Sequence, residues 1–303
     1  MSDWSTAPTV VTGFAPSSDG VRLAVKAVGT GTPILFIHEF AGDFRSWEPQ
    51  LSYFGDRYRC MTYNARGYAP SSVVDTLDAY SQESALADAL AILDWAEVEA
   101  AHVVGLSMGG FCALQMAMNA PERCLSITVG GVGYGAPRGA RDQFIAEVER
   151  AAHDFRHDVV AAAERYASGP TRLQFLRKDP IGWEQFRNRL SQRDSVGASN
   201  TLLGVLARRR SLYDFEDVLR GVTVPTLLMV GDEDDGCIEA SVMMKRAMPN
   251  SALVMFPRTG HTLNLEEPGQ FNLVIDQFLA RVQLGQWRVQ DRGPDRGLIG
   301  MLP

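Results

Sequence analysis

Short apolar runs alternate with longer stretches whose apolar residues recur at helical spacing. The short runs predict eight strands, at residues 10–14, 21–28, 33–38, 58–63, 101–106, 124–129, 225–230 and 252–256. Helical spacing predicts helices at residues 80–95, 108–119, 238–248 and 263–284. The first two strands flank a Ser-Asp-Gly turn and predict an antiparallel hairpin. Later strands are apolar throughout, which is typical of a parallel sheet covered by helices on both faces. The pattern predicts the α/β class.

The pattern changes between residues 136 and 221, where the chain is helical, rich in arginine and poor in strand signal. Because the α/β pattern resumes afterwards, we predict one core formed by residues 1–135 and 222–285, interrupted by a helical insertion at 136–221. Residues 286–303 are rich in Gly, Pro, Arg and Asp and are expected to form a loose tail. Trp287 in this tail offers a contact for a homodimer, although a frayed end is the favoured interpretation.

The composition excludes several classes of protein. The chain of 303 residues has 29 Lys and Arg against 36 Asp and Glu, a net charge of −7, which disfavours nucleic-acid binding. No apolar run reaches the roughly 18 residues that a membrane-spanning helix needs, and the first residues do not resemble a secretory signal. The four cysteines are isolated along the chain, so we expect free thiols in the cytoplasm.

The strongest local motif is Gly105-Leu106-Ser107-Met108-Gly109, placed between a predicted buried strand and a predicted helix. This is the G-x-S-x-G pattern in the strand–turn–helix context that presents a nucleophilic serine. Glycines suit the crowded turn because a side chain there would clash with neighbouring backbone. The backbone N–H of Met108 and the helix N-terminus are expected to face the Ser107 hydroxyl.

A serine hydroxyl needs a base to become a good nucleophile. Of the five histidines, His261 follows the last predicted strand and therefore lies at the same sheet edge as Ser107. It is the predicted base. His153 and His157 have a spacing that could bind a metal, but no third ligand accompanies them, so a solvated helix face is favoured.

The acid is expected between Ser107 and His261 in chain order. The loop after the strand at 124–129 contains no acidic residue, whereas Gly231-Asp232-Glu233-Asp234-Asp235 follows the strand at 225–230. Strand periodicity alone leaves Asp232 and Asp234 as alternatives. His38-Glu39-Phe40-Ala41-Gly42 ends the first buried strand at the same edge, and one of its N–H groups could pair with that of Met108 to bind an oxyanion.

These motifs together resemble the α/β-hydrolase fold superfamily, over roughly residues 10–283. The resemblance implies a mostly parallel sheet of about eight strands with helices on both faces and a helical cap at 136–221. It assigns Asp234 as the acid and the N–H groups of Phe40 and Met108 as oxyanion donors. Glu39 stands where the family usually has glycine, and Asp235 where proline is frequent. A serine nucleophile disfavours the branches that use a carboxylate.

The resemblance implies hydrolysis of a small carboxylic ester by Ser107, His261 and Asp234, with neither a metal nor an organic cofactor. The expected partner is a small-molecule ester or related acyl substrate, with no nucleic acid and no membrane. Lactone hydrolysis and C–C bond hydrolysis use the same triad, and a non-catalytic ligand-binding role is a further alternative. Residues 172–210 contain nine basic and three acidic residues. We favour the interpretation that these arginines lie on solvated helix faces over the alternative that one of them binds a substrate carboxylate.

Overall fold

The computed structural model describes residues 10–289, and their strands form one eight-stranded sheet. The strands are β1 Val10–Pro16, β2 Arg22–Val28, β3 Thr32–Ile37, β4 Tyr58–Tyr63, β5 Ala101–Leu106, β6 Cys124–Gly130, β7 Thr226–Gly231 and β8 Ser251–Phe256. Their order is β1-β2-β4-β3-β5-β6-β7-β8. The pairs β1–β2 and β2–β4 are antiparallel, and the other pairs are parallel. The predicted α/β class and mostly parallel sheet are confirmed.

Helices cover both faces of the sheet. The α-helices are α1 Glu48–Phe54, α2 Gln82–Trp95, α3 Met108–Asn119, α4 Arg141–His157, α5 Val159–Ala167, α6 Leu173–Lys178, α7 Pro180–Ser191, α8 Ser195–Asn200, α9 Glu216–Arg220, α10 Asp235–Ala247, α11 Leu263–Glu266 and α12 Pro268–Gln283. One face packs against α2, α3 and α10 through side chains such as Ile92, Phe111 and Met244. The other packs against α1 and α12 through Phe54 and Phe271. The parallel strands are mainly apolar because most of them bury both faces, whereas the edge strand β8 is partly exposed.

Within the described chain, the segment between β6 and β7 holds α4–α9 and no strand. We call residues 136–221 the helical insertion. Its helices pack around an apolar cluster of their own, which includes Phe155, Phe175 and Leu190. Phe40, from the loop after β3, also belongs to this cluster. The insertion is therefore packed directly onto a loop at the carboxyl edge of the sheet.

Six parallel strands, β3 to β8, end at that edge. Parallel pairing aligns the last residue of β5, Leu106, with the last residue of β6, Gly130. It likewise aligns Gly231, which ends β7, with Phe256, which ends β8. The loops that leave the edge carry the sequence motifs, because functional loops of such sheets follow the carboxyl ends of the strands. The loops that carry them are residues 38–42, 107, 131–136, 232–234 and 257–262, which follow β3, β5, β6, β7 and β8.

The single helix expected at residues 263–284 is two helices, α11 and α12. Glu267 separates them with φ −132° and ψ 55°, and Pro268 starts the second helix. The ring of a proline disfavours helical backbone at the preceding residue, so the break follows from Pro268. The prediction was wrong here because apolar spacing continues across the proline without interruption.

The structure also differs from the expected loose tail at Trp287. Its indole ring packs edge-on against Phe278 of α12, with ring centroids 4.6 Å apart, and its Nε1–H donates to the carbonyl of Asn250 at 3.1 Å. Trp287 is therefore anchored on its own chain, rather than held for a partner subunit. Residues 290–303 of the predicted tail lie outside the described residues.

Replacing Trp287 with alanine should lower the free energy of unfolding by about 1–3 kcal/mol, because the change removes a half-buried ring and its hydrogen bond. Urea denaturation followed by circular dichroism measures the change. Gln286→Ala is the matched control, since that side chain is exposed beside the tryptophan. Equal stability of Trp287→Ala and wild type would contradict the anchoring.

Candidate active site

Ser107 lies on the turn that joins β5 to α3, with φ 54° and ψ −112°. Such a conformation costs a non-glycine residue roughly 1–3 kcal/mol. The turn is crowded, because a Cβ at Gly105 would collide with the carbonyl oxygen of Gly109, and one at Gly109 with that of Ile37. The spacing of the two glycines around Ser107 therefore follows from the close packing of α3 against β5 and β3.

Asp234 and His261 form a buried hydrogen bond. Nδ1 of His261 lies 2.7 Å from Oδ2 of Asp234, and the side chains are 5% and 0% exposed. The hydroxyl of Tyr134 donates to the other carboxylate oxygen at 3.0 Å. Burial raises the pKa of Asp234. The interaction with His261, by charge and by hydrogen bond, lowers the pKa by a larger amount, so that it lies below its ordinary value. Asp234 is therefore ionised and orients the imidazole.

Strand pairing places Ser107 close to this pair. The N–H of Ser107 donates to the carbonyl of Gly130 at 2.7 Å. The next residue, Gly131, lies so near His261 that a Cβ on it would be 3.3 Å from Nδ1. Within residues 10–289 the Ser107 hydroxyl makes no hydrogen bond to His261. Such bonds are often long until a substrate is bound.

Two backbone N–H groups have the placement expected of oxyanion donors. Met108 is the first residue of α3, and Phe40 lies in the loop after β3. Among the hydrogen bonds of residues 10–289, neither N–H has an acceptor. The start of α3 also brings partial positive charge beside Ser107.

His38 stabilises the loop that carries Phe40. Its Nε2 accepts from the N–H of Ala65 at 3.1 Å, so Nδ1 carries the proton and donates to the carbonyl of Glu39 at 2.7 Å. Burial lowers the pKa of His38 to about 4. The ring is therefore neutral near pH 7, in the tautomer that supports the loop.

The Glu39 side chain is buried and paired with Arg172 of the insertion. The guanidinium contacts both carboxylate oxygens, with Nη1 3.0 Å from Oε1 and the side chains 3% and 2% exposed. Arg172 also donates to the hydroxyl of Thr262. The glutamate is thus neutralised by a two-point contact, and it joins the Phe40 loop to both the insertion and the His261 loop.

The insertion also contacts the other two loops of the site. The carbonyl of Thr171 accepts from the N–H of His261 at 2.9 Å. The amide of Gln174 donates to the Glu233 carboxylate at 2.7 Å. Residues 171–174 therefore touch the loops that carry Phe40, Asp234 and His261.

The two acids left open by strand periodicity have different surroundings. Asp234 contacts His261, whereas Asp232 accepts from the N–H of Thr259 at 3.1 Å. Asp232 thus stabilises the loop after β8, and the geometry favours Asp234 as the partner of the imidazole. Asp235 is the first residue of α10.

Sequence reasoning missed two residues of this network. Tyr134 lies in the loop after β6, which was set aside because it has no acid, although a tyrosine hydroxyl can hydrogen-bond a carboxylate. Arg172 belongs to the basic set of the insertion, and nothing in the local sequence distinguishes it from its neighbours. Of the other histidines, His153 and His157 stack on α4 with ring centroids 4.2 Å apart.

One group of three side chains within residues 10–289 has the donor types of a metal site. Ligand atoms of Asp234, Cys237 and His261 lie within 4.8 Å of one another. Both Asp234 oxygens already accept hydrogen bonds, and burial raises the pKa of the Cys237 thiol well above its ordinary range. Within the described residues, the Asp234 carboxylate of this group is already held by Tyr134 and His261 in a hydrogen-bond network.

Comparison with known proteins gives one matching family model, that of the alpha/beta hydrolase fold, over residues 32–268. The 3-oxoadipate enol-lactonase 1 of Acinetobacter baylyi is 26% identical, over 87% of this chain and 95% of the lactonase. A thermophilic esterase from Thermogutta terrifontis with malate bound is 25% identical, with TM-score 0.77, over 90% of this chain and 99% of the esterase. Est816, an N-acyl homoserine lactone degrading enzyme, is 25% identical, with TM-score 0.73, over 88% and 100%.

A mostly parallel sheet with a serine on a strained strand–helix turn, near a buried Asp–His pair, is the arrangement of α/β hydrolases. The chain belongs to the α/β hydrolase fold family, since the family model matches most of its length. The resemblance inferred from the motifs is confirmed. The esterase and lactonase relatives support a hydrolase. None of the helices within residues 10–289 combines the length and apolar character needed to cross a membrane.

Lowering the pH should destabilise the fold through His38. Its pKa is about 4 in the fold and 6.5 in solvent, so between these values the unfolded chain binds a proton that the folded chain does not. The free energy of unfolding should therefore fall as the pH falls from 6.5 to 4, by at most about 3 kcal/mol for this group. Urea denaturation at several pH values measures the slope, which His38→Asn should reduce. An unchanged slope in His38→Asn would contradict this assignment.

Proposed function

We propose that this protein is a serine hydrolase that cleaves a small carboxylic ester through an acyl-enzyme intermediate. The observation that carries the proposal is the 2.7 Å contact between His261 and ionised Asp234, adjacent to Ser107 on its strained turn. A base held in one tautomer beside a serine hydroxyl is what activates that serine.

In the proposed mechanism, His261 accepts the Ser107 proton as the oxygen attacks the ester carbonyl. Asp234 keeps the proton of the neutral imidazole on Nδ1 and stabilises the imidazolium that forms. The N–H groups of Phe40 and Met108 stabilise the oxyanion. His261 then protonates the leaving alcohol, and water hydrolyses the acyl-enzyme by the same steps.

A lactone is the second candidate substrate. It is favoured by the likeness to the Acinetobacter baylyi enol-lactonase and to Est816, an N-acyl homoserine lactone degrading enzyme. A lactone is a cyclic ester, so the same residues would act, with the leaving alcohol still attached to the acyl group. We assign the helical insertion as the cap that selects between such substrates, because it contacts three loops of the site.

Hydrolysis of a C–C bond and a non-catalytic binding role remain alternatives with the same residues. The homodimer and the cytoplasmic location stay predictions from the sequence, as does the lack of a cofactor. Assays with simple esters separate these functions, because an ester hydrolase turns such esters over and a non-catalytic binding protein does not.

Ser107→Ala should abolish labelling by a fluorophosphonate and lower kcat for p-nitrophenyl butyrate and for a γ-lactone by about 10⁴-fold or more. Mass spectrometry of the labelled protein and initial rates are the measurements. Ser52→Ala, at an exposed serine, is the control and should behave like wild type. Retained turnover in Ser107→Ala would refute the proposed nucleophile. Failure of wild type to react with the fluorophosphonate would favour the binding role.

Asp234→Asn should lower kcat by about 10³–10⁴-fold, because an amide neither stabilises the imidazolium nor enforces its tautomer. Asp232→Asn is the matched control two residues away and should lose less than tenfold, since its carboxylate contacts only the Thr259 loop. Steady-state kinetics with p-nitrophenyl butyrate measures both variants. A greater loss in Asp232→Asn would move the acid to Asp232.

A further inference from the structure

Arg193 lies in the turn between α7 and α8, against the loop that carries Phe40. Its Nη1 donates to the Phe40 carbonyl at 2.7 Å. The guanidinium stacks on the ring of Tyr68, 3.5 Å from the centroid, and on that of Phe40, at 4.7 Å. These contacts hold the cation beside the residue whose N–H is a proposed oxyanion donor.

Most of the donors of this guanidinium have no partner. Nε and Nη2 of Arg193 are buried and meet no acceptor. No other arginine within residues 10–289 leaves a buried guanidinium nitrogen in this state. Burial lowers the pKa of Arg193, because the charged form is disfavoured away from water.

Arg193 is partly buried, and the fully buried arginines show how the fold satisfies such a cation. Arg66 contacts both oxygens of Asp88 at 2.7 Å, and Arg172 contacts both oxygens of Glu39. Arg193 has no ion pair within the described chain. A buried charge is normally paired, so the missing partner at Arg193 needs an explanation.

Arg209 is a buried arginine of the described chain that also has no ion pair. It donates to the carbonyl of Tyr134 at 2.5 Å, and none of its guanidinium nitrogens is buried without a hydrogen-bond partner. The unmet donors therefore point to Arg193 alone.

We propose that Arg193 binds a carboxylate carried by the substrate and is the residue that makes the enzyme prefer anionic esters. The inference rests on the proposed function and narrows its substrate class. A carboxylate offers two acceptors that match Nε–H and Nη2–H in a two-point contact. Arg193 bonds to the carbonyl of Phe40, the residue whose N–H is a proposed oxyanion donor, so the proposed carboxylate would bind beside the same loop. A short dicarboxylate monoester fits this placement.

The test compares two esters of equal acyl length, p-nitrophenyl butyrate and the p-nitrophenyl monoester of succinate. Wild type should prefer the succinyl ester. Arg193→Gln should reduce this preference, measured as the ratio of the two kcat/KM values, by about 10–100-fold, mainly through KM for the succinyl ester. Arg193→Lys keeps the charge and should retain part of the preference.

Arg189→Gln is the matched control, an arginine of α7 whose ion pair with Glu48, at 3.3 Å, is solvent-accessible. It should keep the wild-type preference. An equal loss on both esters in Arg193→Gln would overturn the proposal, because Arg193 would then only position the Phe40 loop. Lack of any preference in wild type would also overturn it. Near-ultraviolet circular dichroism checks that each variant is folded.

A separate binding experiment distinguishes failure of this proposal from failure of the proposed function. If wild type hydrolyses neither ester in a Ser107-dependent manner, the proposed function fails. Titration calorimetry with succinate on the full chain then decides the role of Arg193. Succinate binding that is lost in Arg193→Gln and kept in Arg189→Gln supports the anion site. Absence of binding, or binding that does not depend on Arg193, overturns it.

Discussion

The buried ion pair between Glu39 and Arg172 is the contact on which the geometry of the site depends. A carboxylate removed from water beside the loop that carries Phe40 is tolerated only with a partner that replaces its hydration. Breaking such a buried pair costs about 3–5 kcal/mol. Arg172 supplies that partner and bonds to Thr262 as well. The loop of Phe40, the loop of His261 and the insertion are thereby fixed relative to one another.

Much of the fold and the core of the site could be predicted from the sequence, because both depend on local rules. Most of the parallel strands bury both faces and are mainly apolar, and the carboxyl ends of such strands meet at one edge, which brings Ser107 near His261. Tyr134 and Arg172 could not be assigned, because their roles arise from contacts between segments distant in sequence. The break at Pro268 was predictable from proline geometry alone.

The arginines of the insertion show why composition does not determine a role. Arg187 and Arg208 form ion pairs with Glu164 and Asp78 in which both side chains are partly or largely exposed, as expected for solvated helix faces. Arg172 and Arg193 lie against the loop that carries Phe40 instead. No feature of the local sequence assigns these roles, so only the packing of the insertion onto the core separates the solvated arginines from those held against the core.

Glutamate in place of glycine at position 39 changes what the insertion does in this chain. With a glycine there, the conformation of the loop that carries Phe40 would be held only by the core, through neutral His38 and its contact with Ala65. With Glu39, the same loop is also held by Arg172, and its Phe40 carbonyl by Arg193. The loop that carries Phe40 is thus held from two separate elements of the insertion. Under the proposed function, changes within the insertion should therefore affect kcat as well as KM.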